Sequence, residues 1–166
     1  MKRTSLLIDG YNVIHKIPEL SSYLHKSLEQ SREKLALYLQ AWKQKTHFKG
    51  SISAVFDGRS QNFIDTHDYV HGIQFVFSYQ GSDADSHIIT MLKKGRGNTS
   101  FTVITDDNFI ANHCRVYGAV HKPVAYLLPD SRQKHTTRQD RQDRKDIPAR
   151  ARNDINTYLK KTWGIE

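Results

Sequence analysis

Aspartates close the short apolar runs of this chain. Leu6-Leu7-Ile8 runs into Asp9, Ala54-Val55-Phe56 into Asp57, and Val103-Ile104-Thr105 into Asp106-Asp107; Ile73 to Phe77 is followed by Ser82-Asp83-Ala84-Asp85. If these runs are parallel strands, their carboxyl ends share one rim, which is where ligands of open α/β sheets bind. Carboxylates gathered on one rim repel each other and resist ionising together. A hard divalent cation such as Mg²⁺ or Mn²⁺ removes that cost, because both take oxygen ligands. The chemistry such a site supports is hydrolysis of a phosphodiester, with water activated and the leaving oxygen stabilised. Each acid taken singly also fits a structural role. Asp83, Asp106 and Asp107 are good helix N-caps, and Asp9-Gly10 and Asp57-Gly58 are ordinary turn dipeptides.

Other chemistries are less well supplied. The nine histidines keep a metal-free 2′-oxygen cleavage in view. His67 and His71 are four apart but fall in a stretch read as loop; His15 follows the first acidic motif, and His87 follows Asp85 on a helix. Gly95-Arg96-Gly97-Asn98 lacks the Gly-Lys-Ser/Thr ending of a phosphate loop and follows a helix, so no nucleotide cofactor is expected. A phosphatase-type hydrolase with an Asp nucleophile needs a second Asp two residues after the first, where this chain has Tyr11.

The elements that must position the acids follow from periodicity. Ser5–Ile8, Ser51–Phe56, Gly72–Phe77 and Phe101–Thr105 read as strands; residues 59–70 are polar and read as loop. Leu28, Leu35, Leu39 and Trp42 recur at helical spacing from about Ser27 to Lys45. Ser82 and Asp83 precede a helix with Ile88, Ile89, Met91 and Leu92, stopped by Gly95 and Gly97; Phe109, Ile110 and Cys114 mark another that ends at Gly118. Strands alternating with helices imply right-handed crossovers and a mainly parallel sheet covered on both faces.

Length and composition bound the rest. The 166 residues make one ordinary domain, with 25 Lys and Arg against 17 Asp and Glu, a formal charge of +8. One cysteine, Cys114, excludes a disulfide framework or a cysteine zinc cluster. Apolar runs are far short of a membrane span or a secretory signal, so a cytoplasmic protein with no membrane partner is expected. The positive charge points to a polyanion, most simply nucleic acid. Composition shifts at Pro129: residues 129–166 carry ten Lys and Arg against six Asp and Glu, half the net charge on under a quarter of the chain. We therefore expect a domain over 1–128 and a basic extension over 129–166, its end (Ile155, Tyr158, Leu159, Trp163) a short packed helix. Lys16, Arg59, Lys93, Lys94, Arg96 and a stripe of Arg138, Arg141, Arg144 and Lys145 are candidate phosphate contacts. Asp140 and Asp143 interleave that stripe, so solvated ion pairs explain it equally well. Tyr11 and Tyr79 are candidates to stack on unpaired bases.

Taken in order, the motifs resemble one family. Leu6-Leu7-Ile8-Asp9-Gly10-Tyr11-Asn12-Val13-Ile14-His15 looks like the opening of the YacP type of NYN domain, within the PIN-like nucleases. Ala54-Val55-Phe56-Asp57-Gly58, Ala84-Asp85-Ser86-His87-Ile88 and Val103-Ile104-Thr105-Asp106-Asp107, with Gly118-Ala119 downstream, resemble its later segments, so the likeness covers about residues 4–128. It implies an α/β/α sandwich with a mainly parallel central sheet and a metal-dependent ribonuclease, endonucleolytic on single-stranded RNA that is free or on a ribosome. The family's acids carry over to Asp9, Asp57, Asp85 and Asp107, and its Asn to Asn12. Asp9, Asp85 and Asp107 are then the metal ligands, with Asp57 further out. Two departures bear on the metal set: Ser82-Asp83 stands where Glu-Thr is usual, making Asp83 a substitute ligand, and Asp106 stands where Ser is usual, adding an acid. A PIN-like module that binds RNA or the ribosome without cutting is the alternative.

Overall fold

The computed structural model describes residues 2–60, 66–79 and 82–129. The element order is β1 (Arg3–Asp9), α1 (Gly10–Lys16), α2 (Pro18–Ser21), α3 (Leu28–Lys45), β2 (Ser51–Ser60), β3 (Thr66–Val70), β4 (Ile73–Tyr79), α4 (Ala84–Gly95), β5 (Thr99–Ile104), α5 (Asn108–Tyr117) and β6 (Val120–Lys122), then a 3-10 turn, Val124–Leu127. The residues up to Leu127 form one compact unit. The extension expected over 129–166, with Arg138, Arg141, Arg144, Lys145 and the short terminal helix, lies outside the described residues beyond Pro129.

The described strands form one sheet in the order β3-β4-β2-β1-β5-β6. Every neighbouring pair is parallel except β3 with β4. Alternation along the strands sorts side chains onto two faces. Leu7, Val55, Val76 and Val103 pack with Ala84, Ile88 and Leu92 of α4 and Ile110 and Cys114 of α5. Leu6, Ile8, Ala54 and Phe56 turn the other way, to the face where Val13, Ile14, Leu35 and Leu39 are also fully buried. Each such Leu or Ile contributes about 1.5–3 kcal/mol by leaving water. Burial on both faces explains why these strands are apolar throughout. It also gives the Cys114 thiol its surroundings: desolvation pushes it up to about 11, so it is an inert core residue.

Three expectations need correction. Asp9-Gly10 is no turn, because the chain passes from β1 directly into α1. Gly10 is required there by packing: a Cβ would lie 2.3 Å from the Phe56 ring. The stretch 59–70 is not loop throughout, since β2 runs on to Ser60 and Thr66–Val70 is an edge strand. A strand, rather than a helix, therefore stands between the parallel neighbours β2 and β4. The hairpin signal is His71-Gly72, a two-residue turn between the paired Val70 and Ile73, with positive φ at both positions (50° and 75°). That is the twist-matched hairpin geometry. The strand is polar because it sits at the sheet edge, as the high exposure of Tyr69 (73 %) reflects.

Candidate active site at the carboxyl rim

Because β1, β2, β4 and β5 are parallel, their last residues come to one rim, together with the first turns of α4 and α5. Asp9 ends β1 and is buried, yet its side chain makes no cap to α1. Its Oδ2 instead accepts from the Thr105 hydroxyl at 3.0 Å. Thr105 follows β5, is fully buried, and its Oγ1 also accepts the Asp107 N–H at 3.0 Å. One hydroxyl thus fixes Asp9 relative to the start of α5. Burial holds the Asp9 carboxyl above the usual range despite that bond, and the charges of Asp107 and Asp57 push the same way.

Asp85, in the first turn of α4, is shifted most visibly, to about 6. Desolvation is the largest cause, followed by the charges of Asp9, Asp107, Asp83 and Asp57 in that order. Four acids from four parts of the chain therefore bear on one carboxyl group. Three of them also anchor backbone. Asp57 Oδ1 accepts from Ala84 N at 2.6 Å, tying the end of β2's apolar run to the start of α4. Asp107 caps α5 through Phe109 N at 2.6 Å, and Asp83 caps α4 through Ser86 N at 2.7 Å. Bonds from the Ser86 hydroxyl and then its N–H lower the exposed Asp83 carboxyl. Asp83 and Asp107 therefore do cap their helices, and they also carry charge to the rim.

The structure keeps other predicted residues away from this cluster. Asp106 Oδ1 accepts from Val124 N at 2.9 Å and its Oδ2 is 3.9 Å from Lys16 Nζ. Its charge is not among those that raise Asp9 or Asp85. Asn12 lies between the two regions: its Oδ1 accepts the Asp106 N–H at 3.1 Å, and its backbone N–H, facing the Asp9 carboxyl without closing a cap bond, lowers that group. Tyr11 is half-buried edge-on against Phe56, centroids 5.2 Å apart, and accepts from Arg32, so its ring packs inside the rim. Tyr79 ends β4 and is exposed. Lys93 and Lys94 lie in the last turn of α4, about 12–14 Å along the axis from Asp85 at 1.5 Å per residue. Arg96 lines a hollow with Lys2, Thr99 and Ser100, at the end where β1 and β5 begin. These three cations stand at the opposite rim. The Arg59 side chain lies outside the described residues.

Among the described residues, the candidate histidines are not brought together as a catalytic pair. His67 is on β3, while His71 is in the following turn, 3.6 Å from Glu33, so their spacing is not a helical one. His15 is exposed on α1 and His87 half-buried on α4. The acids are the chemically coherent set. Their donors are all oxygen, and a divalent cation relieves the repulsion that adds to burial in lifting Asp9 and Asp85, so the residues suit Mg²⁺ or Mn²⁺. Among the described residues, no three acid, histidine or cysteine side chains are gathered into a ready-made cage. Such closure is not needed by Mg²⁺, which is commonly held by one or two carboxylates with waters and substrate phosphates.

Sequence reasoning missed Thr105, Arg32 and Phe109. Thr105 reads as one more strand residue, and its pairing across 96 positions has no local signal. Phe109 reads as core, yet it is 51 % exposed, two residues beyond Asp107. We expect Thr105→Val to destabilise the fold by about 1–3 kcal/mol, because it strands a buried Asp9 oxygen and the Asp107 N–H. Thr105→Ser is expected to stay near wild type. Urea unfolding of the two variants checks this; equal stability would show that the hydroxyl bonds are dispensable.

The model of the YacP-like NYN domain family matches residues 6–163, beyond the residue 128 at which the motif resemblance ends. Two crystal structures of Rae1 (YacP) from Bacillus subtilis are similar in fold. One superposes with a TM-score of 0.61 at 22 % identity, covering 99 % of this chain and 96 % of that one. The other, a mutant form, gives 0.62 at 23 % identity, covering 89 % and 87 %. No curated protein matches the chain.

Proposed function

We propose, for a chain that belongs to the YacP-like NYN domain family and so carries a PIN-like nuclease-type domain, that it is a metal-dependent ribonuclease acting endonucleolytically on single-stranded RNA. The observation that carries the reading is the gathering of Asp9, Asp57, Asp85 and Asp107 at one rim, where burial first and then the neighbouring charges lift the Asp85 carboxyl to about 6. Merely binding RNA gains nothing from negative charge massed beside phosphate. A charge cluster of this kind is of use when a cation completes it.

Asp9, Asp85 and Asp107 would hold the ion, with Asp57 and Asp83 adding negative field around them. Mg²⁺ or Mn²⁺ bound there supplies a more acidic water and charge to stabilise the leaving 3′-oxygen. The chain's own groups do the positioning. Thr105 holds Asp9 in place, and Asp57 fixes the start of α4, which carries Asp85. Asn12, whose carbonyl oxygen is taken by Asp106 N–H, keeps its amide hydrogens to offer a phosphate oxygen or the attacking water. Phe109 and Tyr79 present exposed rings at this rim, and stacking on them requires unpaired bases. In-line attack by water leaves 5′-phosphate and 3′-hydroxyl ends. The same reading has the protein act on RNA in the cytoplasm, free or on a ribosome. No helix of the described residues is long and apolar enough to cross a membrane.

The test is a mixed-sequence single-stranded RNA incubated with the purified chain in EDTA, Mg²⁺ or Mn²⁺, with the product ends mapped. Metal-dependent internal cuts bearing 5′-phosphates are expected. Cutting that persists in EDTA would reject the carboxylate mechanism. RNA bound but uncut in every lane, with translating ribosomes included, would leave a binding module.

A further inference from the structure

Arg32 lies on the second turn of α3, at the end of that helix nearest the carboxylate rim. Its guanidinium carbon is 5.5 Å from the Tyr11 ring centroid, 5.4 Å from that of Phe56 and 5.0 Å from that of Phe77. Nε donates to the Tyr11 hydroxyl at 3.1 Å, and Nη2 donates to the same oxygen. These rings are tied to the site by sequence: Tyr11 is two residues past Asp9, and Phe56 immediately precedes Asp57. Among the described residues no carboxylate lies within ion-pair distance of Arg32.

A half-buried guanidinium with no acid among the described residues is unusual, because charges leave water at a cost that a counter-ion normally offsets. The three rings supply part of that compensation through their faces. They also hold the fork still, and Tyr11 occupies only one side of it. The charge cannot be lost by deprotonation. The acids of the rim meanwhile repel the backbone of any RNA that approaches. The feature therefore has a ready chemical use: a fixed guanidinium forms two parallel bonds with a phosphate.

We propose that Arg32 is a phosphate clamp, gripping a backbone phosphate of single-stranded RNA next to the one that is cut, with Tyr11 as its positioning residue. The proposal rests on the nuclease reading above. It makes the substrate's charge, rather than its base sequence, the feature recognised on this side of the rim.

Binding of a labelled single-stranded RNA is measured from low to high salt in the Asp85→Asn background with EDTA, where nothing is cut. Adding Arg32→Gln is expected to weaken binding about tenfold and to make the slope of log K against log salt shallower by about 0.7, the value for one phosphate contact on a single strand. Arg32→Lys keeps the charge and is expected to keep the slope. In the otherwise wild-type chain it is expected to raise KM for cleavage with kcat within about threefold. Tyr11→Phe is expected to weaken binding without changing the slope. Wild-type affinity and slope in Arg32→Gln would overturn the clamp. If Arg32→Gln fails to fold, Arg32→Lys decides: unaltered KM overturns the proposal. A parent chain that neither binds nor cuts RNA would instead overturn the nuclease reading, and the clamp with it.

Discussion

Asp85→Asn is expected to abolish RNA cleavage and, at neutral pH without metal, to raise the melting temperature. The two effects have one cause. In the folded protein the Asp85 carboxyl keeps its proton up to about pH 6, whereas an ordinary Asp releases it near 3.8. Between those values the folded state binds more protons than the unfolded state, so stability falls as pH rises, and above about pH 6 the loss is complete. Asp9 is shifted in the same direction and adds to the trend. Replacing the Asp85 carboxylate with a neutral amide removes the cost of burying a charge, and the repulsion with it, at every pH. It also removes a ligand expected to contribute several kcal/mol of transition-state stabilisation, so the rate should fall by about 100- to 1000-fold or more. Melting curves at pH 5 and pH 7.5, with EDTA or Mn²⁺, provide the check. Wild type should gain from Mn²⁺ at pH 7.5 and little at pH 5; Asp85→Asn should gain little at either. A wild-type melting temperature indifferent to metal at pH 7.5 would show that the acids do not hold it.

Gly58→Ala is expected to be the most damaging small substitution for the fold. A Cβ at Gly58 would lie 1.6 Å from the Ser78 carbonyl oxygen and 2.8 Å from its carbon, which is backbone and cannot swing aside. Here β2 and β4 shift register between Phe56 and Ser60, and Gly58 N–H donates to Ser78 Oγ at 3.1 Å. Relief requires the strands to part. Overpacking typically costs 1–3 kcal/mol, and a clash with backbone belongs at the upper end, about 3 kcal/mol. For a domain of this size that is a fall of roughly 6–12 °C in melting temperature. Movement of β2 would also carry Asp57 off Ala84 N and disturb the helix start that bears Asp85, so activity should fall with stability. Calorimetry with a cleavage assay tests both, and an unchanged melting point would show that the strands tolerate a methyl group there.

These cases show how far the residues could be read in order. The strands whose apolar runs stop at Asp9, Asp57 and Asp106-Asp107 were legible because burial on both faces demands unbroken apolar runs. The caps at Asp83 and Gly118 were legible because their partners lie within a few residues. The edge strand Thr66–Val70 was hidden because a strand with one neighbour need not be apolar, and its His71-Gly72 turn is not the commonest hairpin dipeptide. Asp57-Gly58 and Asp9-Gly10 have the composition of turns, but their glycines are there for close approach to Ser78 and Phe56.

What the sequence by itself determined is the family: apolar runs that stop at aspartates, in motifs specific enough to mark it. Residue type and spacing are local properties, and they suffice for that. Which acids act together was decided only by the tertiary structure. Asp106 and Asp107 are neighbours in the chain, yet Asp107 joins the field on Asp85 while Asp106 is drawn to Val124 and Lys16. Thr105 reaches Asp9 across 96 residues, and Arg32 reaches Tyr11 across 21. Lys93 and Lys94, close in sequence to Asp85, are carried by their helix to the other end of the sheet. Electrostatic coupling and hydrogen bonding depend on distance through space, and the folding of the sheet sets that distance.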